Sequence, residues 1–279
     1  MSYIQLEFEF DPGKFDPEIL MAYLGELGYE SFVDHDKGLT AYIHEGDFSE
    51  NLLKNLLKEE LAGFSTQYTF KELPKENWNA TWESNFPAVV IASQCRVRAP
   101  FHEADPAFPL EIIIEPKMSF GTAHHETTSL VMELLLNEPP VGLSVLDMGC
   151  GTGILAILSA KLQASSVLAI DNDEWAYLNS IENVERNETL LVEVLQGDAS
   201  LLGTRNFDLI IANINRNILL EDINKYAKVL KQGGRLILSG FYEKDLALIS
   251  KETDRHGISL SGHLVKNNWV AAEFAKLKY

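Results

Sequence analysis

Only two cysteines, Cys95 and Cys150, occur in the 279 residues. That is too few for a disulfide framework or a thiolate metal site, so each reads first as a small buried hydrophobe. Long apolar runs are missing as well, and none approaches the roughly 20 residues of a bilayer-spanning helix. From Met1 to Phe10, apolar and acidic side chains alternate instead of running basic and then apolar. No export signal is read there, and the chain is expected in the cytoplasm. Positive charge is scarce: 23 Lys and Arg stand against 41 Asp and Glu, a formal net charge of −18. Such a surface repels phosphate backbones, which disfavours direct binding of nucleic acid as the main substrate and favours a basic protein partner. Charge by itself has a blander reading, that acidity only keeps the protein soluble. No internal repeat or low-complexity segment stands out. What is present, 46% hydrophobic and 23% charged residues, is the balance of a globular protein able to bury a core.

The pattern changes near residue 88. Before it, Ile4, Leu6, Phe8 and Phe10 share one face of a strand. Asp16 reads as the cap of a helix through Leu27. Strands are expected at Ser31–Val33, Leu39–His44 and Ser65–Leu73, with a helix over Ser49–Leu61. Strand, helix, strand, strand, helix, strand is the order of a ferredoxin-like α+β sandwich over residues 1–73. Residues 1–70 hold 14 Asp and Glu against 4 Lys, so ten (14 − 4) of the 18 net negative charges sit in that quarter of the chain. That asymmetry predicts a docking surface for something basic. A polar helical linker over residues 74–87 follows, with Trp78 and Trp82 on one face.

From 88 to 279 the pattern is α/β. Short strands are expected at Val89–Ala92, Cys95–Ala99 and Leu110–Glu115, then a helix at Glu126–Leu136. Apolar strands at Ser144–Asp147, Val167–Asp171, Val192–Gln196, Leu209–Ala212 and Arg235–Ser239 alternate with helices at Ile154–Leu162, Glu174–Asn187 and Asn217–Leu230. Continuous apolar strands with amphipathic crossovers predict a mostly parallel sheet covered on both faces. A C-terminal hairpin, Ile258–Val265 and Trp269–Lys276, closes it with an antiparallel pair.

The residues Val145 to Gly153, Val-Leu-Asp-Met-Gly-Cys-Gly-Thr-Gly, run from an apolar strand through a glycine loop into a helix. Glycine lets a backbone approach a ligand closely. The spacing Gly149, Gly151, Gly153 departs from the dinucleotide fingerprint, whose third glycine would fall at position 154, here Ile154. A pyrophosphate asks for positive potential, whereas the methionine end of S-adenosyl-L-methionine carries ammonium, carboxylate and sulfonium. The loop is therefore expected to wrap that cofactor; a tight turn without a ligand is the competing reading. Asp147, at the strand end, can accept from a ligand amine. Asp171, roughly 20 residues on, stands where an acid bonds ribose hydroxyls. Its neighbour Asp173 reads as a helix cap. Asp198, in Gly197-Asp198-Ala199, is placed near the adenine amine or in a simple turn. Asn213, at the end of the fourth strand, lies in the crevice where open parallel sheets bind ligands. Its side-chain carbonyl can hold the amine that is being methylated; a cap is the alternative, and Asn215 can supply that. His124 and His125 are adjacent and lack an obvious third ligand, so no metal is expected.

The segment Phe120-Gly121-Thr122-Ala123-His124-His125-Glu126-Thr127-Thr128, with Val145–Ile157 and Ala212-Asn213-Ile214, resembles the PrmA family, methyltransferases of large-subunit ribosomal protein eleven. The likeness runs from about Trp78 to the C-terminus. Glu115-Pro116-Lys117 and Ala123 stand where the family shows Asp-Pro-Gly and a glycine. The resemblance implies a Rossmann-like class I methyltransferase domain that trimethylates lysine side chains and the N-terminal amine of that protein. It implies a first domain that docks the substrate on a swinging linker. It places Thr127, Gly149, Asp171 and Asn213 on the cofactor and Phe120 at the methyl-transfer pocket. A monomer is expected. Deprotonating a lysine of pKa ~10.4 at pH 7 costs roughly 4.6 kcal/mol. The acidic surface is thus expected to recruit, while an apolar pocket and good alignment carry catalysis. The rivals are a methyltransferase of small-molecule or nucleic-acid base amines, an NAD-dependent dehydrogenase, and a non-catalytic binding module.

Overall fold

A computed structural model describes residues 3–10, 15, 17–59, 61, 67–73, 86–115, 117 and 119–278. The chain divides into two compact units, Met1–Phe86 and Pro87–Tyr279. The cap expected at Asp16 and most of the expected linker, including Trp78 and Trp82, fall outside the described residues.

The first unit contains β1 (Tyr3–Glu9), α1 (Pro17–Glu26), β2 (Ser31–His35), β3 (Gly38–His44), α2 (Glu50–Glu59) and β4 (Gln67–Leu73). Its sheet has the order β2-β3-β1-β4 with every pairing antiparallel, a split β-α-β sandwich. The alternation in β1 is the cause: Ile4, Leu6 and Phe8 are buried while Glu7 and Glu9 face out. Leu20 and Leu24 of α1 and Leu53 of α2 pack into the same core.

The second unit begins with a three-stranded sheet of β5 (Val89–Ile91), β6 (Cys95–Arg98) and β7 (Leu110–Ile113). Then come α3 (Glu126–Asn137), β8 (Ser144–Met148), α4 (Ile154–Lys161), β9 (Ser166–Asp171), α5 (Glu174–Arg186), β10 (Val192–Gln196) and β11 (Phe207–Asn213). They are followed by α6 (Arg216–Val229), β12 (Leu230–Tyr242), α7 (Leu246–Asp254), β13 (Ile258–Lys266) and β14 (Trp269–Lys276). The seven-stranded sheet has the order β10-β9-β8-β11-β12-β14-β13. The first five are parallel, and β14 runs antiparallel between β12 and β13.

Both faces of this sheet are covered. Along β11, Leu209 and Ile211 join one core with residues of α3 and α4, while Ile210 and Ala212 join a second with α6 and α7. That double burial is why β11 reads as an unbroken apolar run. It also explains α4, whose residues Ile154 to Ala160 are all buried and leave no polar face. The chain leaves β8 toward β9 and β10, then returns to β11 on the other side of β8. Such a reversal opens a crevice at the carboxyl ends of the strands. Two features go beyond the sequence reading. Helix α7 was not expected, and β12 is longer than Arg235–Ser239, with a register shift between Ser239 and Phe241.

Candidate active site

A cavity of about 470 Å³ opens at that crevice. Of the expected residues it brings together Phe120, Thr127, Gly149, Gly151, Asp171 and Asn213. The loop after β8 forms one wall. Gly149 (φ +70°) and Gly151 (φ +57°) hold left-handed backbone, and a Cβ at Gly151 would sit 2.3 Å from the carbonyl oxygen of Phe120. The contact is close because Thr152 clasps the preceding segment. Its N–H donates to the Phe120 carbonyl at 2.9 Å, and its hydroxyl donates to that of Gly121.

Every backbone N–H of this loop is donated within the protein. Gly149 and Cys150 give theirs to the carbonyl of Ile170 (2.8 and 3.1 Å), and Gly153 to that of Cys150 (2.8 Å). Gly151 donates to Asp171 Oδ2 at 2.8 Å. An anion-binding loop needs free amides, and this one has none left for a pyrophosphate. Among the described residues, no Lys or Arg lines the cavity.

Asp171 closes β9 with Oδ1 accepting from the Asp173 amide at 3.0 Å. Asp173 caps α5 by accepting from the Ala176 amide. Asp147 stands behind the loop. It shares a strand face with Val145, two residues before it, and so points toward α4, where Oδ2 accepts from the Ala156 amide at 3.0 Å. Its Oδ1 is buried without a partner among the described residues. Burial pushes its carboxyl up to about 7; the Ala156 amide opposes this and the negative charge of Asp171 adds to it. Gly153 starts α4 and packs against Ser180, outside the cavity lining. Asp198 is also outside it, capping a short 3-10 turn through the Ser200 amide at 2.7 Å. That hydrogen bonding holds its carboxyl below the usual range.

The facing wall comes from distant parts of the chain. Asn213 Nδ2 donates to Thr128 Oγ1 at 3.3 Å, which fixes the orientation of the amide. Its Oδ1 is buried and has no partner among the described residues. Asn215 takes the capping role for α6, accepting from the Ile218 amide. Phe120 meets the ring of His125 at 5.2 Å, His125 meets Trp269 at 4.9 Å, and Trp269 stacks on Tyr242 at 4.1 Å. Ile218, Gly240 and Trp269 are lining residues that the sequence reading missed. The one available signal was Trp269 at the start of a hairpin strand, which gives no hint of what it faces. His124 is held by the Pro87 carbonyl at 3.0 Å. No group of three metal-ligating side chains occurs among the described residues.

This donor and acceptor set fits a ligand that carries N–H and O–H groups and positive charge. Asp171 has lone pairs left, Asn213 Oδ1 has no partner among the described residues, and Asp171 and Asp173 both line a cavity that no described Lys or Arg lines. S-Adenosyl-L-methionine meets those requirements, and a nicotinamide dinucleotide does not.

Comparison with known proteins points the same way. Residues 20–277 match the family model described as ribosomal protein L11 methyltransferase (PrmA). The chain is 48% identical to the ribosomal protein L11 methyltransferase of Porphyromonas gingivalis, covering 98% of each chain. With that of Bacteroides fragilis it shares 45% identity over 98% of this chain and 99% of the other. The solved ribosomal protein L11 methylase of Lactobacillus delbrueckii subsp. bulgaricus superposes with a TM-score of 0.64 at 26% identity, covering 68% of this chain and 98% of that one. Coverage this complete, with the strand order and glycine loop above, shows that the chain belongs to the ribosomal protein L11 methyltransferase family.

Proposed function

We propose that this enzyme transfers methyl groups from S-adenosyl-L-methionine to lysine side-chain and N-terminal amines of ribosomal protein L11. The observation that carries the reading is Asn213 Oδ1, a buried acceptor without a partner among the described residues, at the mouth of a parallel sheet. When bound, the cofactor supplies a methyl group made electrophilic by its sulfonium. Asp171 holds the ribose hydroxyls, and the loop from Gly149 to Gly151 lets the backbone lie against the ligand. Asn213 Oδ1 accepts one N–H of the incoming neutral amine and aims its lone pair at the methyl carbon. Phe120 and Trp269 set apolar ring surface beside the amine, which favours the neutral amine over the ammonium. An amide cannot take up the released proton, so it passes to solvent, and alignment supplies most of the rate.

Mass measurement of L11 after incubation with enzyme and cofactor tests this. The intact chain adds multiples of one methyl group. Asn213→Ala slows the transfer about a hundredfold while cofactor affinity changes severalfold at most. Equal losses in both would reduce Asn213 to a cofactor ligand, and no mass gain with the intact chain would end the reading.

The first unit is the docking element, supported by the ten net negative charges within residues 1–70. L11 as a basic partner, an enzyme acting as a monomer, and action in the cytoplasm where ribosomal proteins are made complete the reading. Raising ionic strength from 0.05 to 0.5 M screens surface charge, so the KM for L11 rises roughly tenfold with cofactor affinity unchanged. A KM insensitive to salt would remove the electrostatic docking role. Among the described residues, no helix is long and apolar enough to cross a membrane.

A further inference from the structure

His125 lies in the cavity wall with its hydrogen bonding constrained from one side. Its Nδ1 accepts the backbone N–H of Thr127 at 3.2 Å, capping α3, and lies 2.8 Å from Thr127 Oγ1. A backbone N–H only donates. Nδ1 therefore presents a lone pair, and the neutral ring carries its proton on Nε2. At 2.8 Å the Thr127 hydroxyl must then also donate to Nδ1, since two facing lone pairs would repel. Its single proton is spent, and only lone pairs remain for the cavity that Thr127 lines. The imidazole is kept in this pose by two rings that meet it edge-on, Phe120 at 5.2 Å and Trp269 at 4.9 Å.

We propose that His125 is a positioning residue that fixes the Thr127 hydroxyl as a hydrogen-bond acceptor, so that this wall receives an amine or ammonium group and turns away a carboxylate. The inference rests on the methyltransferase reading and deepens it. With Asn213 Oδ1 on the same wall, it makes two acceptors that carry no charge. They can orient N–H groups without the penalty a carboxylate imposes on a nucleophile that must lose its proton. Two amines share this chemistry, that of the cofactor's methionine end and that of the acceptor, and the experiment separates them.

Calorimetric affinities for S-adenosyl-L-methionine and for its desamino analogue, and the KM for L11, are measured on the full chain. The variants are His125→Phe, His125→Asn, Thr127→Val and the double variant His125→Phe with Thr127→Val. Phenylalanine keeps a ring and loses the acceptor; asparagine keeps a capping acceptor. If the cofactor amine is the guest, His125→Phe weakens S-adenosyl-L-methionine about tenfold and leaves the desamino analogue unchanged. If the acceptor amine is the guest, the KM for L11 rises about tenfold and both cofactor affinities hold. In either case His125→Asn recovers most of the loss, and His125→Phe costs nothing further once Thr127 is Val. A melting temperature restored in His125→Asn without that recovery of affinity would show a structural cap alone and overturn the proposal. So would equal loss for both cofactor forms, additive losses in the double variant, or no change in His125→Phe. Failure of the unaltered chain to bind S-adenosyl-L-methionine would overturn the methyltransferase reading and this proposal together.

Discussion

The two walls of the cavity are built on opposite plans. On one side, residues 149–153 follow one another along the chain, and each amide is already given to a protein acceptor. On the other, Phe120 with His125, Asn213 and Trp269 arrive from three separate segments, and Asn213 Oδ1 has no partner among the described residues. The first wall is a shaped backbone whose form the protein fixes by itself. The second is a set of oriented side chains with bonding capacity in reserve. The contrast separates two tasks: the glycine loop sets how close a ligand can come, and the facing wall sets which chemical groups it may present.

The largest effect is expected where the loop is tightest. Gly151→Ala puts a Cβ 2.3 Å from the Phe120 carbonyl at a φ of +57°, so the clasp between Thr152 and Phe120 must open. Cofactor affinity by calorimetry should fall about a hundredfold, through left-handed strain plus a displaced wall. A change below about threefold would mean that loop and facing segment are not coupled.

Next comes the buried acid behind the loop. Asp147 has a folded-state carboxyl raised to about 7 by burial, above its unfolded value. The folded chain therefore binds more protons than the unfolded one between the two values, and stability falls as pH rises through that window. Asp147→Asn removes the titration. In denaturant unfolding, the variant should gain on the unaltered chain by about 2 kcal/mol between pH 5 and pH 7. A gap that stays constant with pH would show that Asp147 remains charged at little cost.

The smallest effect sharpens the boundary of the site. Asp198→Ala removes the cap of a 3-10 turn outside the cavity lining. It should cost about 0.5–1 kcal/mol of stability and shift cofactor affinity less than about twofold. A tenfold loss of affinity would extend the binding wall to the end of β10.

Much of this was legible because it is local. The alternation in β1, the apolar runs of β8 and β11, and the acid that closes β9 carry their own physical signature over a few residues. The caps at Asp173 and Asn215 were readable for the same reason, since a side chain reaching its own helix amide needs no tertiary partner. Helix α7 was missed because only Ile249 and Thr253 are buried within it, too few to mark a face. The length of β12 was obscured by the glycines at 233, 234 and 240, which read as turns rather than as a strand with a shifted register.

The sequence by itself determined the cofactor class, the parallel sheet and the concentration of acid before residue 70, because spacing, hydropathy and charge are properties of neighbours along the chain. Only the tertiary structure decided which polar atoms stay unanswered. Asp147 accepts from the Ala156 amide of α4, Asn213 is oriented by Thr128, and His125 is held between Phe120 and Trp269. A hydrogen bond or ring contact across such separations depends on two backbones being brought within a few ångströms, and no local pattern encodes that distance.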